Sequence, residues 1–443
     1  MKSQNIKRGD KRPGRAIRAA VGAFFVLIAY ALFTPGAVPR LSLSGFLGFI
    51  NAGIIFYLVG LSVRHFLFLY FSAREEIRRE GVGPAKSFPG ISIIVPGYNE
   101  DVVIARTIEE LDRLDYPEFE VIVIDDGSSD QTYAHALKAA QNRSRVRVFT
   151  KKNGGKASAL NFGITQARYD YLFCMDADSH VIPTALREGI RHFIDPDIAA
   201  VAGSVLVLNQ RNSVTRFQTL EYLTGLNFYK SAQSFFGLVG IIPGPSGLFR
   251  KKDVLDIGGY QSDTFAEDCD LTLRILMNGR RVVYEPQMEV RTEVPESMQT
   301  LVKQRYRWNR GIFQATRKHW IRMIQFRKDP GTAFLIFYFL TESLLLPTLN
   351  IFVALLTLIY QIYTRDLSLF SMWLVQLTLL DLSIVLVTLW DTRWPMKLIA
   401  YAVFNRFTYS FFLDIIKIFS LAEEIVGIRM DWGKLDRVGV KPS

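Results

Sequence analysis

Apolar residues in this 443-residue chain gather in long runs toward its two ends and leave the middle mixed. The runs are Ala19 to Phe33, Phe46 to Phe71, Ala333 to Tyr363 and Leu369 to Trp390, and about 20 apolar residues in a helix suffice to span a bilayer core. The pattern makes the chain an integral membrane protein, with α-helical transmembrane segments on either side of a domain, roughly Ser72 to Asp329, long enough to bury its own core. The first run is short and follows Lys2, Lys7, Arg8, Lys11, Arg12, Arg15 and Arg18, so a signal-peptide core is the alternative to an anchor. A second run follows at once. The basic residues before the first run and after the second (Arg74, Arg78, Arg79) place both flanks, and with them the middle domain, in the cytosol.

Near the C-terminus hydropathy and charge pull against each other. Met396 to Leu421 is largely apolar, yet Arg406, Asp414 and Lys417 fall inside it, and an ionisable group at mid-bilayer costs about 2.5–3.5 kcal/mol. The stretch is therefore expected to lie along the cytosolic face or re-enter from it, which leaves four spans rather than five. The expected organisation is a basic N-terminus (1–18), two transmembrane helices (19–71), the cytosolic domain (72–298), interfacial amphipathic helices (299–330), two transmembrane helices (331–395) and the interfacial or re-entrant segment (396–443). The net charge of +11 invites a nucleic-acid reading, but the basic residues cluster at membrane borders and form no nucleic-acid module, so no nucleic acid is expected. Cys174 and Cys269 form no disulfide framework and are read as reduced and buried; the five His disfavour a His-based metal site.

Within the cytosolic domain, Ile91 to Val95 is a continuous apolar, β-branched run ended by Pro96 and Gly97, the pattern of a buried parallel strand. Val121 to Ile124, Val146 to Phe149 and Tyr171 to Met175 repeat it. Helical stretches lie between: one capped by Asn99 and running to Arg113, one from Ser129 toward Asn142, one from Lys156 to Arg168. Strands alternating with helices predict an α/β, Rossmann-like, mostly parallel sheet with helices on both faces. Ligands of such sheets bind outside the carboxyl ends of the strands, which is where Tyr98, Asp125/Asp126 and Asp176/Asp178 fall.

Asp176-Ala177-Asp178 can hold a hard divalent cation against a diphosphate, because Mg²⁺ takes oxygen ligands and keeps part of its coordination for phosphates and water. Asp178 is the expected direct ligand and Asp176 faces ribose or metal; alone, such a pair is as readily a solvated loop. Asp125 and Asp126 can accept from a base or ribose while Gly127 lets backbone approach, although an Asp-Gly turn with a cap at Ser128 uses the same residues. Tyr98 and Glu100 offer stacking and hydrogen bonding to a uracil, or simply start a helix. Asn153-Gly154-Gly155-Lys156 opens a helix, so its amides and ammonium can approach phosphate, though it is not a Walker A loop and Gly/Lys surface loops are common. In Glu267-Asp268-Cys269-Asp270 a carboxylate can serve as general base toward an acceptor hydroxyl, against ordinary helix capping by Asp268 or Asp270. Gln304-Arg305-Tyr306-Arg307-Trp308 on a helix sets Gln304 four residues and Arg305 three residues from Trp308, so an indole and polar donors front one pocket; a chance amphipathic helix is the plain alternative. From Gln299 to Lys328 there are Lys and Arg but no Asp or Glu, a basic amphipathic stretch suited to the membrane interface.

In this order, Asp126, Asp176/Asp178, Glu267/Asp268 and Gln304 to Trp308 resemble the motif set of the processive family 2 glycosyltransferases: cellulose, hyaluronan, chitin and poly-N-acetylglucosamine synthases. The resemblance covers about Ile91 to Trp308 and extends to the flanking spans. It implies a GT-A domain that uses a nucleotide sugar with Mg²⁺ or Mn²⁺, inverts the anomeric carbon and passes the growing polymer through a channel in the same chain. By position it implies that Asp126, with Asp125 beside it, binds uridine, that Asp176 and Asp178 bind diphosphate and metal, and that Asp268 is the base. Gln304, Arg305, Arg307 and Trp308 would hold diphosphate and acceptor at the channel entrance, and Gly244-Pro245-Ser246-Gly247 resembles an acceptor-lining loop. Trp432-Gly433-Lys434 is similar to the gating segment of hyaluronan and chitin synthases, with Trp432 and Lys434 kept and the middle of the motif departing. The implied partners are a UDP-sugar donor, the growing polysaccharide and membrane lipid, with room for accessory export or modification proteins at the inner (plasma) membrane. Chain length favours the hyaluronan, chitin-oligosaccharide and poly-N-acetylglucosamine branches and UDP-N-acetylglucosamine as donor. UDP-glucose is the alternative donor, and single addition to a polyprenyl phosphate is the alternative reaction.

Overall fold

The strands form because β-branched runs sit where both faces of a sheet are covered. In the computed structural model, which describes residues 45–390 and 397–428, β1 (Ile91–Gly97) and β2 (Phe119–Asp125) are buried at every position. Ala19 to Phe33, the basic residues before it, and Trp432 to Lys434 lie outside the described residues. Alternate side chains go to opposite faces: Ile91, Ile93 and Val95 join one core with Val121 and Val123, while Ile94, Ile122 and Ile124 join the other. The helix Ile104–Leu111 covers the first face through Ile104, Ile108 and Leu111, and the helix Lys156–Gln166 covers the second through Ala157, Leu160 and Ile164.

β3 (Val146–Thr150), β4 (Tyr171–Cys174), β5 (Ser179–Val181), β6 (Ile198–Val207), β7 (Gly247–Arg250) and β8 (Arg281–Thr292) complete an eight-stranded sheet in the order β3-β2-β1-β4-β7-β6-β8-β5. Pairing is parallel from β3 through β4 and again between β6 and β8, with Ile93 opposite both Val121 and Phe173. The mostly parallel α/β expectation holds. The sequence pattern did not expose the antiparallel insertions: β7 runs against both neighbours and β5 runs against β8. Cys174 pairs with Gly247, so the chain just before β7 arrives at the carboxyl end of β4. Since β6 and β8 run parallel to β4, their carboxyl ends reach the same edge.

Two expected helix starts move. Asn99 does not cap the first helix, which begins at Ile104; it adopts a left-handed φ of 55° and its Oδ1 accepts from the Ser129 amide at 2.8 Å, tying together the loops after β1 and β2. Nor does Ser128 cap the second, which begins at Thr132, with the Asp130 carboxylate accepting from the Thr132 amide.

Among the described residues three helices are long and apolar enough to cross a membrane: Asn51–Glu80, Pro330–Thr364 and Ser368–Leu389. They coincide with the second, third and fourth apolar runs. The basic stretch after Gln299 folds as the helix Met298–Lys318, whose Arg305 and Arg310 are buried, followed by the exposed apolar residues Trp320, Ile321, Ile324 and Phe326. The apolar C-terminal stretch forms helix Leu398–Asn405, a π-helical turn Arg406–Ser410 and helix Phe411–Val426. Three of its ionisable residues find partners on the spanning helices: Arg406 donates to Asp381 at 2.8 Å, Asp414 accepts from Asn350, and Lys417 reaches the Glu342 carbonyl. Both its ends touch helices that pack beside the sheet, Tyr401 at Arg216 and Glu424 at Arg310.

Because both ends of this segment are held by helices on one side, we propose that it stays on the sheet's side of the bilayer. Cysteine introduced by Ile428→Cys, with Cys174 and Cys269 replaced by Ser, is expected to react with an impermeant reagent only from the cytosolic side; labelling of intact cells from outside would show that the segment crosses.

Candidate active site

The carboxyl edge of the sheet collects the expected residues from distant parts of the chain, though not all on one surface. Asp125 ends β2 and is fully engaged with protein, accepting from Thr150 Oγ1 at 2.7 Å and the Ser128 amide at 3.2 Å. Asp126 is 3 % exposed and takes Lys151 Nζ at 2.7 Å together with the amides of Gly154 and Gly155. The glycine-loop amides expected to approach phosphate are therefore held by Asp126. Gly127 tolerates this only as glycine: its φ is +71° and a Cβ would stand 2.8 Å from the Asn153 amide. Tyr98 is exposed at the rim beyond β1, and the Glu100 amide donates to Thr132 Oγ1.

Most of the remaining described residues meet in a cavity of about 560 Å³. Asp176 and Asp178, just past β4, line it with Lys156, whose ammonium lies 2.6 Å from Asp176 and 3.3 Å from Glu267. Burial pulls this ammonium down, but Asp176 and Glu267 hold it well above the ordinary lysine range. Gly244 completes the wall, and a Cβ there would come within 2.6 Å of Lys156 Nζ. Ser246, grouped with it by sequence, does not line the cavity. The turn ahead of β7 points it inward, where it is fully buried beside the Met288 carbonyl.

Asp176 and Asp178 offer oxygen donors only, and among the described residues no cluster of three or more His, Cys, Asp or Glu could hold a metal without help. Two carboxylates on an open cavity suit Mg²⁺ or Mn²⁺, whose remaining positions go to phosphate and water. Asp178 is the more enclosed, with Oδ1 accepting from Ser179 Oγ, and Asp176 the more open.

Glu267 and Asp268 open the helix Glu267–Met277, which is fixed by burial of Cys269, Leu271, Leu273 and Ile275 and aims its positive end at the cavity. Neither caps it conventionally; Asp268 Oδ1 accepts from the adjacent Cys269 amide at 2.8 Å. Burial and then the Glu267 carboxylate push Asp268 up to about 6, against the opposing pull of Lys156, the Cys269 amide and Arg307. A carboxylate so poised can take a proton near neutral pH. Asp270, by contrast, is held low despite burial by His319, Lys318 and Arg274, and is structural.

The helix Met298–Lys318 lies across this end because Gly311 lets it touch the Ala266 backbone; a Cβ would meet the Ala266 amide at 2.6 Å. Gln304, Arg307, Trp308 and Ile312 face the cavity at the i, i+3, i+4, i+8 spacing of one helical stripe. Arg305 does not. Its guanidinium turns away, grips Glu221 at 3.0 and 2.5 Å, bonds the Gln304 side chain and stacks 4.3 Å from the Trp308 ring. Tyr409 donates to the same Glu221 carboxylate at 2.5 Å. Neither Glu221 nor Tyr409 was recognisable from sequence, since each lies in an ordinary helical stretch far from Arg305. Beyond Trp308 the cavity continues between the spanning helices past Tyr57, Arg64, Glu342, Asn350, Asp381 and Arg406.

Residues 92–258 match the family described as Glycosyl transferase family 2. The chain is 33% identical over 285 residues to the poly-β-1,6-N-acetyl-D-glucosamine synthase of Staphylococcus aureus (strain COL), covering 62% of this chain and 69% of that one. It is 35% identical over 223 residues to the Staphylococcus epidermidis enzyme of the same name, covering 50% and 54%. A solved mannosyltransferase from Pyrobaculum calidifontis, in complex with GDP-Man and Mn²⁺, superimposes with a TM-score of 0.60 at 19% identity over 85% of this chain and 100% of that one, a likeness of fold.

Arg305→Ala would leave the Glu221 carboxylate without its bidentate cation, a loss of about 3 kcal/mol for a buried pair. The expected outcome is a lowered unfolding temperature with UDP affinity intact; a selective loss of UDP binding would return Arg305 to the ligand.

Proposed function

Because the chain belongs to the processive family 2 glycosyltransferases, we propose that it polymerises N-acetylglucosamine from UDP-N-acetylglucosamine into a β-linked polysaccharide and passes the product through its own helical bundle. The observation that carries this reading is the single cavity running from Asp176, Asp178 and Asp268, past Trp308, into the polar groove among the spanning helices. A single-addition enzyme needs no such continuation. The identity to poly-N-acetylglucosamine synthases favours that sugar over glucose.

In this reading the donor diphosphate lies against Lys156 and the two aspartates, with the sugar toward Gly244. A divalent cation on Asp178 and Asp176 would neutralise the departing diphosphate. The acceptor's terminal sugar rests on Trp308. Asp268 takes the proton of its hydroxyl while the hydroxyl oxygen attacks the anomeric carbon from the face opposite UDP, so the configuration inverts and the C–O bond to the diphosphate breaks. Arg307 faces the same space and supports negative charge on the donor side. Tyr98 at the rim and Asp126, once the Lys151–Gly155 loop yields its carboxylate, serve the nucleoside. The protein sits in the plasma membrane with the sheet in the cytosol, where the donor is supplied.

Purified protein given individual UDP-sugars and Mg²⁺ is expected to release UDP and form polymer only with UDP-N-acetylglucosamine, the product being degraded by a β-N-acetylhexosaminidase. Polymer from UDP-glucose alone would name the other donor, and one sugar added to polyprenyl phosphate would end the processive reading.

Asp268→Asn is expected to keep UDP binding while turnover drops by at least about 10². Because the folded-state value of Asp268 is raised to about 6, the wild-type rate should fall as the base protonates below that pH. The residual rate of the Asn variant should lack this limb, and near-normal turnover would reject the role. Asp178→Ala should abolish metal-dependent UDP affinity together with synthesis; full activity of wild-type enzyme stripped of divalent ions would contradict it.

A further inference from the structure

Lys230 lies on the helix Tyr229–Phe235 and lines the cavity, yet nothing described so far uses it. It is 6 % exposed. A buried ammonium ordinarily meets a carboxylate, since leaving it alone carries a large desolvation cost. Among the described residues Lys230 makes no hydrogen bond and no ion pair within 4.0 Å. Its Nζ stands 6.0 Å from the centre of the Tyr284 ring.

The charged groups on the elements around it are engaged elsewhere. On the helix Asn51–Glu80 Arg64 pairs with Glu342, Glu75 takes Arg78 and Ser234, and Arg79 lies toward Tyr284. On β8, Glu285 binds Arg191 and His192. On the donor side, Lys156 already occupies Asp176 and Glu267. The charge that acts on Lys230 is that of Asp268, which lines the same cavity without touching it. A proton acceptor and a proton-rich donor thus border one space, outside contact with each other, with the Trp308 ring along the same cavity wall.

We propose that Lys230 is an acceptor-binding residue: its ammonium donates hydrogen bonds to hydroxyl or amide oxygens of the terminal sugar of the growing chain and so holds the nucleophilic hydroxyl against Asp268. This rests on the polymerising function above. The reaction's balance is unchanged: the hydroxyl proton goes to Asp268, the new C–O bond replaces the one to UDP, and Lys230 keeps its protons. An ammonium suits a neutral sugar because it is all donor, and every polar oxygen of the ligand is an acceptor. Burial pulls this ammonium down to about 7, with Asp268 opposing. Charge-assisted bonds are the stronger ones, so acceptor affinity should weaken as the pH rises through that value.

The test uses full-length protein in lipid nanodiscs with UDP-N-acetylglucosamine, Mg²⁺ and graded concentrations of a short N-acetylglucosamine oligosaccharide. Lys230→Met is expected to raise the acceptor KM about tenfold or more while UDP affinity stays within about twofold, the margin expected where no contact is lost. Lys230→Arg, whose cation does not titrate here, should hold the acceptor KM level between about pH 7 and 9 where the wild-type value climbs. An unchanged acceptor KM in Lys230→Met, or a parallel loss of UDP affinity, overturns the role. Should that variant fail to fold, identical pH slopes for wild type and Lys230→Arg overturn it as well. Wild-type protein that extends no oligosaccharide overturns the polymerising function itself, and this role with it.

Discussion

Charge carried into a low-dielectric seam has to meet opposite charge there, and this requirement organises the junction between sheet and spanning helices. Arg305 meets Glu221 and Tyr409, Arg310 meets Glu424, Arg64 meets Glu342, and Arg406 meets Asp381. Each pair joins elements far apart in sequence. A buried pair returns little net stability over an apolar substitute, but breaking one is severe, so its main effect is on registry. These pairs fix the helix Met298–Lys318 against the sheet on one side and the segment Leu398–Val426 on the other. Within the apolar C-terminal stretch, Asp414 and Lys417 are likewise partnered, by Asn350 and the Glu342 carbonyl.

The site inherits its chemistry from that seam. The helix Glu267–Met277 packs against Met298–Lys318 and leaves Asp268 half-buried on the cavity wall, and the desolvation that raises its proton affinity suits the proposed role of base near neutrality. Lys156 bridges Asp176 and Glu267, so one ammonium offsets part of the carboxylate charge on the donor side. In the proposed reaction an incoming diphosphate would compete for that lysine, and the carboxylates so freed would be available to a divalent cation. The π-helical turn Tyr222–Phe228 widens the wall beside Trp308, and further π-helical turns at Thr341–Leu345 and Arg406–Ser410 border the same cavity. Such turns expose backbone and re-aim side chains, and they recur at functional sites.

How far the sequence could be read depended on whether the signal was local. β1, β2 and the apolar runs from Phe46, Ala333 and Leu369 declare themselves by composition and spacing, so the parallel half of the sheet and three spanning helices were legible. β5 and β7 were not: three- and four-residue antiparallel strands carry too little period, and Gly247 pairs with Cys174 through contacts that no nearby residue announces. At the site, Asp176, Asp178, Asp268, Gln304, Arg307 and Trp308 share a cavity as motif order suggested. Asp126 and Arg305 carry the right side chains, but tertiary neighbours occupy them, Lys151 and the Gly154–Gly155 amides in one case and Glu221 in the other. Sequence names a donor or acceptor; only the fold says who answers it. Lys230 escaped for the same reason, since a lone lysine in a helix reads as surface until its burial is seen.

A single path joining the transfer site to the bundle is tested most directly by a cryo-electron-microscopy structure of the enzyme arrested during synthesis by withdrawal of donor. Such a path requires sugar density beginning between Asp268 and Trp308 and continuing as a chain of rings past Tyr57, Asn350 and Asp381. Density that stops at Trp308, or a product leaving along the surface of the sheet with the bundle groove closed, would contradict it.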